Sequence, residues 1–370
     1  MSARFLTVVL ERAFNMRDGF GREIDYMRIS VIDSCNLNCY YCNPCDNNEH
    51  CHALNILSVK EVLCIVRAAT RLGIKHFRLT GGEPLLHPQL DEMVLQIKKI
   101  PGVSSVSLTT NAVLLVQHAK WLKEAGIDSI NVSLDTIDAS EYERITKKPL
   151  LEEVKHGINA AIECGIRVKI NVVLTPQTDV VALTRYVAKK GTDIRFIEMM
   201  PVGEGHTNGV EPYKKVIGTL SKLYGEPCRI NTEKTKEIKS GNDKRKIPDN
   251  GPAEYYIFPE LGIRVGLIQA IHGKFCDTCN RIRVTADGRL MPCLGSSVTM
   301  DLVPDSWDFA DDAEKDFSIV RALRAAIKAK PRCHNFNDNA VTYTKTTETK
   351  TSEIEAAEVN AARNMSRIGG

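Results

Sequence analysis

Arg28-Ile-Ser-Val-Ile-Asp33-Ser-Cys35-Asn-Leu-Asn-Cys39-Tyr-Tyr41-Cys42 is the stretch on which the reading of this chain turns. Its first six residues, Arg28 to Asp33, are rich in Ile and Val and read as a buried strand. The three cysteines follow at once, on the loop where the strand ends. In sheets built from repeated βα units, active sites sit at that carboxyl end. Three thiolates leave one metal position open for chemistry, whereas a structural site fills all four. Zinc is the competing reading, but it wants a fourth close ligand, and the nearby Cys45, His50 and Cys51 give no standard finger spacing.

Outward from this stretch, residues 28–200 alternate β-branched runs with helical patterns. The strands are expected at Arg28–Asp33, His76–Thr80, Ser104–Thr109, Ser129–Leu134, Arg167–Leu174 and Asp193–Glu198. Ser58 and Glu61 form a capping box that opens a helix with an apolar face of Val62, Leu63, Ile65 and Val66, and Gly73 stops it. Three further helical segments end in Gly126, Gly165 and Gly191 before the next strand. The prediction is an α/β fold, a partial (β/α)6, TIM-like barrel with a smaller C-terminal β-rich module.

Five regions follow: an N-terminal extension at 1–24, the barrel at 25–202, a polar linker at 203–253, the β-rich module at 254–340 and a tail at 341–370. In the module, Glu254–Phe258 and Ile263–Ile268 flank a Leu261-Gly262 turn. Arg281–Thr285 and Arg289–Pro292 flank Asp287-Gly288, a strong hairpin signal. A helix is expected at Ile319–Lys330.

Composition narrows the function. The 370 residues are 43% apolar, enough for a sizeable core, and 49 basic against 46 acidic residues leave a net charge of only +3. That balance argues against a nucleic-acid or membrane-surface protein, so any anion site must be local. No apolar run approaches membrane-spanning length. Arg4, Arg12 and Arg17 faintly suggest an organelle presequence, but Glu11 and Asp18 argue against one, and a cytoplasmic enzyme is expected. Six of the twelve cysteines fall into two tight sets, which favours metal over disulfides; Cys64 and Cys164, in apolar helical patterns, read as ordinary core residues.

The second set is Cys276-x-x-Cys279 with Cys293, which the hairpin returns toward the first two. Arg281 and Arg283, two apart on a strand, share a face beside it. Arginine forks bind phosphate bidentately, and Arg28 on the first strand extends the set to three.

The loop Cys35-x-x-x-Cys39-x-x-Cys42, with Tyr41 before its last cysteine, resembles the radical S-adenosylmethionine superfamily. So does Thr80-Gly81-Gly82-Glu83-Pro84 at the end of the next strand. In that superfamily the glycine segment contacts the methionine amino group. Four further features resemble the GTP 3′,8-cyclase family of molybdenum-cofactor biosynthesis: Cys276-x2-Cys279-x13-Cys293 with its internal Arg281 and Arg283, Leu108-Thr109-Thr110-Asn111, the run Ile194 to Met200, and the terminal Gly369-Gly370.

The resemblance implies a lyase with S-adenosylmethionine and two 4Fe–4S clusters, one on Cys35, Cys39 and Cys42 and the other on Cys276, Cys279 and Cys293. It places Tyr41, Gly82, Ser133 and Met200 at the S-adenosylmethionine site. It places Arg28, Arg78, Thr109, Lys169, Arg281 and Arg283 at the GTP site. In that family a 5′-deoxyadenosyl radical takes hydrogen from the ribose 3′ carbon of GTP, and that carbon attacks C8 of guanine. The product is (8S)-3′,8-cyclo-7,8-dihydroguanosine 5′-triphosphate. The resemblance further implies a reductant protein, hand-over to the cyclic pyranopterin monophosphate synthase, and room for a homodimer.

Two departures stand out. Asn43-Pro44-Cys45-Asp46 runs into His50-Cys51-His52 where the family usually continues Met-Pro and a glycine loop, and His76 stands where lysine is common. Two alternatives compete. A radical S-adenosylmethionine peptide maturase usually carries more cysteines in its second module and lacks the Arg281/Arg283 pair. A non-enzymatic zinc-binding module is disfavoured by the near-neutral charge.

Overall fold

The computed structural model describes residues 16–42, 55–202, 209–230, 251–296, 298–302, 312–334 and 336. The presequence-like residues before 16, the His50-Cys51-His52 loop and the Gly369-Gly370 terminus lie outside them.

Six strands form where the β-branched runs stand: β1 (Tyr26–Ser30), β2 (His76–Thr80), β3 (Ser105–Thr110), β4 (Ser129–Ser133), β5 (Val168–Leu174) and β6 (Asp193–Glu198). They pair in parallel and in chain order. β1 stops at Ser30, short of the expected Asp33; beyond it Ile32 forms an isolated bridge with Ile56, and the Asp33 carboxylate accepts from Asn55 N–H at 3.2 Å and Nδ2 at 2.7 Å.

The intervening helices are α1 (Val59–Arg71), α2 (Leu90–Lys98), α3 (Leu115–Glu124), α4 (Ala139–Thr146), α5 (Leu151–Glu163) and α6 (Val180–Lys189). α1 opens on the expected capping box: Glu61 N–H donates to Ser58 Oγ at 3.2 Å, and Ser58 N–H donates to the Glu61 carboxylate at 2.7 Å. α2 and α4 carry weaker end signals. α2 starts without a side-chain cap, and α4 ends on Lys147, held at φ 61° where glycine is usual.

Beyond β6 lie α7 (Gly218–Tyr224), β7 (Cys228–Ile230), β8 (Glu254–Ile257), β9 (Arg264–Ile268), β10 (Arg281–Val284), β11 (Arg289–Met291), β12 (Met300–Asp301) and α8 (Asp312–Lys328). Both expected hairpins form, β8–β9 and β10–β11, the second turning on Gly288 at φ 76°. Among the described residues this β-rich segment has no sheet of its own. β9 pairs in parallel with β6 and β10 in parallel with β1, so the two hairpins extend opposite edges of one twelve-stranded sheet. α8 packs on α1. No helix among the described residues is long and apolar enough to cross a membrane.

Successive residues of a strand face opposite sides, so the register divides the sheet into two faces. One carries Met27, Ile29, Phe77, Leu79, Val106, Leu108, Ile130, Val132, Ile170, Val172, Ile194 and Phe196, all fully buried in one core with the helix residues Val62, Ile65, Met93, Ile97, Leu122, Val154, Ile158 and Leu183. The opposite face is polar. Its rows run Arg283–Arg28–Arg78–Ser107, Thr109–Asn131–Lys169 and Ser133–Asn171–Arg195. A parallel sheet usually buries apolar side chains on both faces. A polar face lined by cations marks where a solute binds.

Candidate active site

The cationic face is densest at the β10–β1–β2 edge. Arg283 is paired with Arg28 in register, and Arg281 with Tyr26. The Tyr26 hydroxyl receives a hydrogen bond from Arg78 Nε, and Arg78 Nη1 reaches Thr109 Oγ1 at 3.3 Å. Burial, and then Arg283 alongside, push the Arg28 guanidinium well below its ordinary pKa; burial and Arg281 lower Arg283 to about 10. Guanidiniums desolvated against one another favour an anion between them. Arg281 Nε is buried with no hydrogen-bond partner among the described residues. The structure thus brings Arg28, Arg78, Thr109, Arg281 and Arg283 together, with Lys169, 5% exposed, two strands from Thr109 in the same row.

Arg195 belongs with them and was not singled out from sequence. It is 5% exposed, its Nε donates to Asn171 Oδ1 at 2.9 Å, and its Nη2 is buried without a hydrogen-bond partner among the described residues. The available signal was parity: Arg195 alternates with Ile194 and Phe196, which face the helices. A buried donor left unpaired costs about 1–3 kcal/mol, which an oxyanion would recover.

The first cysteine loop leaves β1 and is tied down on both flanks. Asn38 and Tyr40 donate backbone N–H groups to Thr146 and Ile145 of α4, at 3.0 and 3.1 Å. From the other side the glycine segment lies directly on it: Gly82 N–H donates to Ile32 O at 2.7 Å and Glu83 N–H to Ser34 O at 2.8 Å. A Cβ on Gly82 would stand 2.1 Å from Ser34 O, and one on Gly81 2.3 Å from Ile32 O. Only glycines permit that approach.

Glu83, 1% exposed, then turns inward. Its carboxylate accepts from Thr110 Oγ1 and Asn111 N at 2.7 Å each and from Leu85 N at 3.0 Å. Burial outweighs these donors and raises its pKa to about 7. Asn111 Nδ2 in turn reaches Cys35 Sγ at 3.8 Å. Glu83 therefore joins the ends of β2 and β3 beneath the cysteine loop.

Tyr41 is held by Asp135, a second residue that the sequence did not signal. The phenol donates to Asp135 Oδ2 at 2.5 Å while Val173 N–H donates to Oδ1 at 2.8 Å, and burial raises the Asp135 pKa to about 6. Asp135 lies two residues past Ser133 at the end of β4 and lines a cavity of about 260 Å³ with Thr136, Asp138, Glu141, Thr175 and Thr178. Met200 lies two residues past the end of β6.

Burial pushes the Cys35 thiol up to about 11, and Cys39 also rises, with Cys42 and Cys35 close enough to add to it. Cys276 likewise senses Cys293 and Cys279. Among the described residues no three such side chains converge at the spacing of a single metal ion. All six cysteines of the two sets are free thiols, and thiolate is the donor that holds iron–sulfur clusters. At Cys279 burial alone would raise the thiol, but Arg281 and Lys330 bring it down to about 7.

A parallel sheet with a three-cysteine loop at the end of its first strand, a glycine segment at the end of its second and a cationic face defines the radical S-adenosylmethionine class. The Radical SAM superfamily model matches residues 29–182, and the Molybdenum Cofactor Synthesis C model matches residues 192–336. The crystal structure of Streptococcus suis SuiB bound to S-adenosylmethionine superimposes with a TM-score of 0.54 at 14% identity, over 80% of this chain and 68% of that one, a likeness of fold alone. The chain is 35% identical over 324 residues to the GTP 3′,8-cyclase of Clostridium perfringens (strain SM101 / Type A), covering 87% of this chain and 95% of that protein. It is 37% identical over 328 residues to the GTP 3′,8-cyclase of Peptoclostridium acidaminophilum, covering 87% and 94%. The chain belongs to the GTP 3′,8-cyclase family.

Proposed function

We propose that this protein is a lyase that converts GTP to (8S)-3′,8-cyclo-7,8-dihydroguanosine 5′-triphosphate, an early step of molybdenum-cofactor biosynthesis. One observation carries the reading beyond family membership. The register pair Arg28↔Arg283 sets the arginines of the second cysteine hairpin against the strand that delivers the first cysteine loop, so both sites share one cationic face.

On this reading Cys35, Cys39 and Cys42 hold one 4Fe–4S cluster and Cys276, Cys279 and Cys293 a second. When bound, the first supplies the electron that makes S-adenosylmethionine a source of a hydrogen-abstracting radical, and the second offers an open iron to the purine. The chain's own residues bind and orient. Gly82 and its neighbours present backbone to the methionine moiety, with Tyr41, Ser133 and Met200 around the rest of S-adenosylmethionine. Arg28, Arg78, Thr109, Lys169, Arg281 and Arg283, joined by Arg195, hold GTP, the cations taking its triphosphate. Holding the ribose 3′ carbon of GTP against the 5′ carbon of S-adenosylmethionine is one service such a site renders, since bringing two separate reactants into near-attack geometry supplies up to ~7–11 kcal/mol of a barrier. The six parallel strands are read as an incomplete (β/α)6 barrel with the polar face inside. A reductant protein and the cyclic pyranopterin monophosphate synthase are the expected partners.

The test is anaerobic reconstitution, iron analysis, and assay of 5′-deoxyadenosine formed from S-adenosylmethionine with and without GTP. About eight irons per chain and turnover stimulated by GTP are expected. Zinc in place of iron would overturn the radical chemistry, and two clusters indifferent to GTP would overturn the substrate.

A further inference from the structure

Lys330, just past α8, is 2% exposed. Its Nζ donates to the carbonyl oxygen of Arg281 at 2.7 Å and of Pro292 at 2.8 Å, which sets its positive charge close enough to Cys279 to favour the thiolate there. An ammonium has three N–H donors and no acceptor, and these two carbonyls take two of them.

The partners are not scattered. Arg281 lies two residues past Cys279, and Pro292 immediately precedes Cys293, so one buried cation binds both arms of the cysteine hairpin next to two of its cysteines. Holding the arms together does not require it, since backbone pairing of Arg283 with Met291 and Val284 with Leu290 already does so. Two neutral carbonyls also poorly offset the cost of burying a charge; a metal-bound cysteine sulfur, which carries negative charge, offsets it better. The segment that carries Lys330 is itself clamped. Arg22 donates to the carbonyls of Pro331 at 2.6 Å, Arg332 at 2.9 Å and Cys276 at 2.7 Å, and its Nε is anchored by Asp18 at 2.6 Å. Neither Lys330 nor Arg22 lies in either cysteine motif.

We propose that Lys330 is a positioning residue of the second cluster, its buried positive charge beside the Cys279 sulfur raising that cluster's reduction potential and fixing the iron that meets the substrate. Hydrogen bonds to cluster sulfurs and nearby charge are established levers on potential, because a cation favours the more negative, reduced state. The inference rests on the reading above in requiring a second iron–sulfur cluster whose signal responds to GTP.

The experiment uses the anaerobically reconstituted full chain and an EPR-monitored redox titration. The second cluster is identified as the signal that changes on adding GTP, and the first as the one that changes on adding S-adenosylmethionine. In Lys330→Met the second midpoint is expected to move to lower potential while the first stays put and iron per chain is kept. An unchanged second midpoint overturns the proposal. If Lys330→Met loses the second cluster, Lys330→Arg and Lys330→Gln decide: recovery of iron and midpoint by arginine alone supports a role for charge, and equal recovery by glutamine overturns it. Failure of the cyclase reading shows separately, in the unsubstituted protein, as a missing second signal or one deaf to GTP.

Discussion

Gly82→Ala should disable the first site while leaving the sheet intact. The new Cβ would fall 2.1 Å from Ser34 O, 2.4 Å from Ser34 C and 2.5 Å from Asp33 O. All three atoms are backbone, so no side chain can swing away, and the strands' ends must part by roughly 1 Å to restore ordinary contact. That retreat strains two hydrogen bonds, Gly82 N–H to Ile32 O and Glu83 N–H to Ser34 O. At about 1 kcal/mol each, with some strain added, a loss of ~2–4 kcal/mol is expected, small enough to leave a folded protein. Cys35 is the next residue after Ser34, so the displacement lands on the cysteine loop. A misplacement of ~1 Å at a reacting centre costs about 100-fold in rate. The assay is formation of 5′-deoxyadenosine per reconstituted chain, with urea melts to follow stability. A Gly82→Ala protein within threefold of the parent in that rate, with the same melt, would refute the reasoning, since the contact would then be yielding without effect.

Arg195→Met removes a buried guanidinium whose Nη2 has no hydrogen-bond partner among the described residues. A lost charge-assisted bond of ~1.5–3 kcal/mol should raise the KM for GTP about 10- to 100-fold with iron content unchanged, and an unaltered KM in steady-state assays would remove Arg195 from the substrate site. Glu83 has a folded pKa of about 7, above its ordinary value, so its contribution to stability is fully present below the unfolded pKa and is lost as pH rises through about 7. The protein should therefore lose up to ~3 kcal/mol relative to Glu83→Gln between pH 4.5 and 8 in denaturant melts; a gap that does not change with pH would contradict the burial argument. Tyr41→Phe keeps the ring but strips Asp135 Oδ2 of its donor. It should weaken S-adenosylmethionine binding, read by equilibrium dialysis, and lower stability by about 1–3 kcal/mol; neither effect is expected if that hydrogen bond is idle.

Much of this protein was legible in its residues because the signals are local. Ser58 and Glu61 lie one helical turn apart and formed their capping box. The six β-branched runs became six parallel strands, and Asp287-Gly288 made its hairpin. The cysteine sets and the glycine segment were likewise visible as spacings, since ligand chemistry restricts which residue types will serve.

What the chain could not disclose locally was where the hairpins go. Pairing along a sheet edge uses backbone N–H and C=O groups that every residue but proline shares, so no side chain announces that β10 joins β1 while β9 joins β6. That choice placed Arg283 beside Arg28 and made the two cysteine sites neighbours of one polar face. Asp135 under Tyr41, Arg195 on that face and Lys330 beneath Cys279 escaped notice for the same reason: each is an unremarkable polar residue in its own segment, and its meaning comes from a partner far away in sequence. Local chemistry determined which residues bind and which turn; the tertiary structure alone decided which of them meet, because contact between distant segments is set by backbone pairing and core packing.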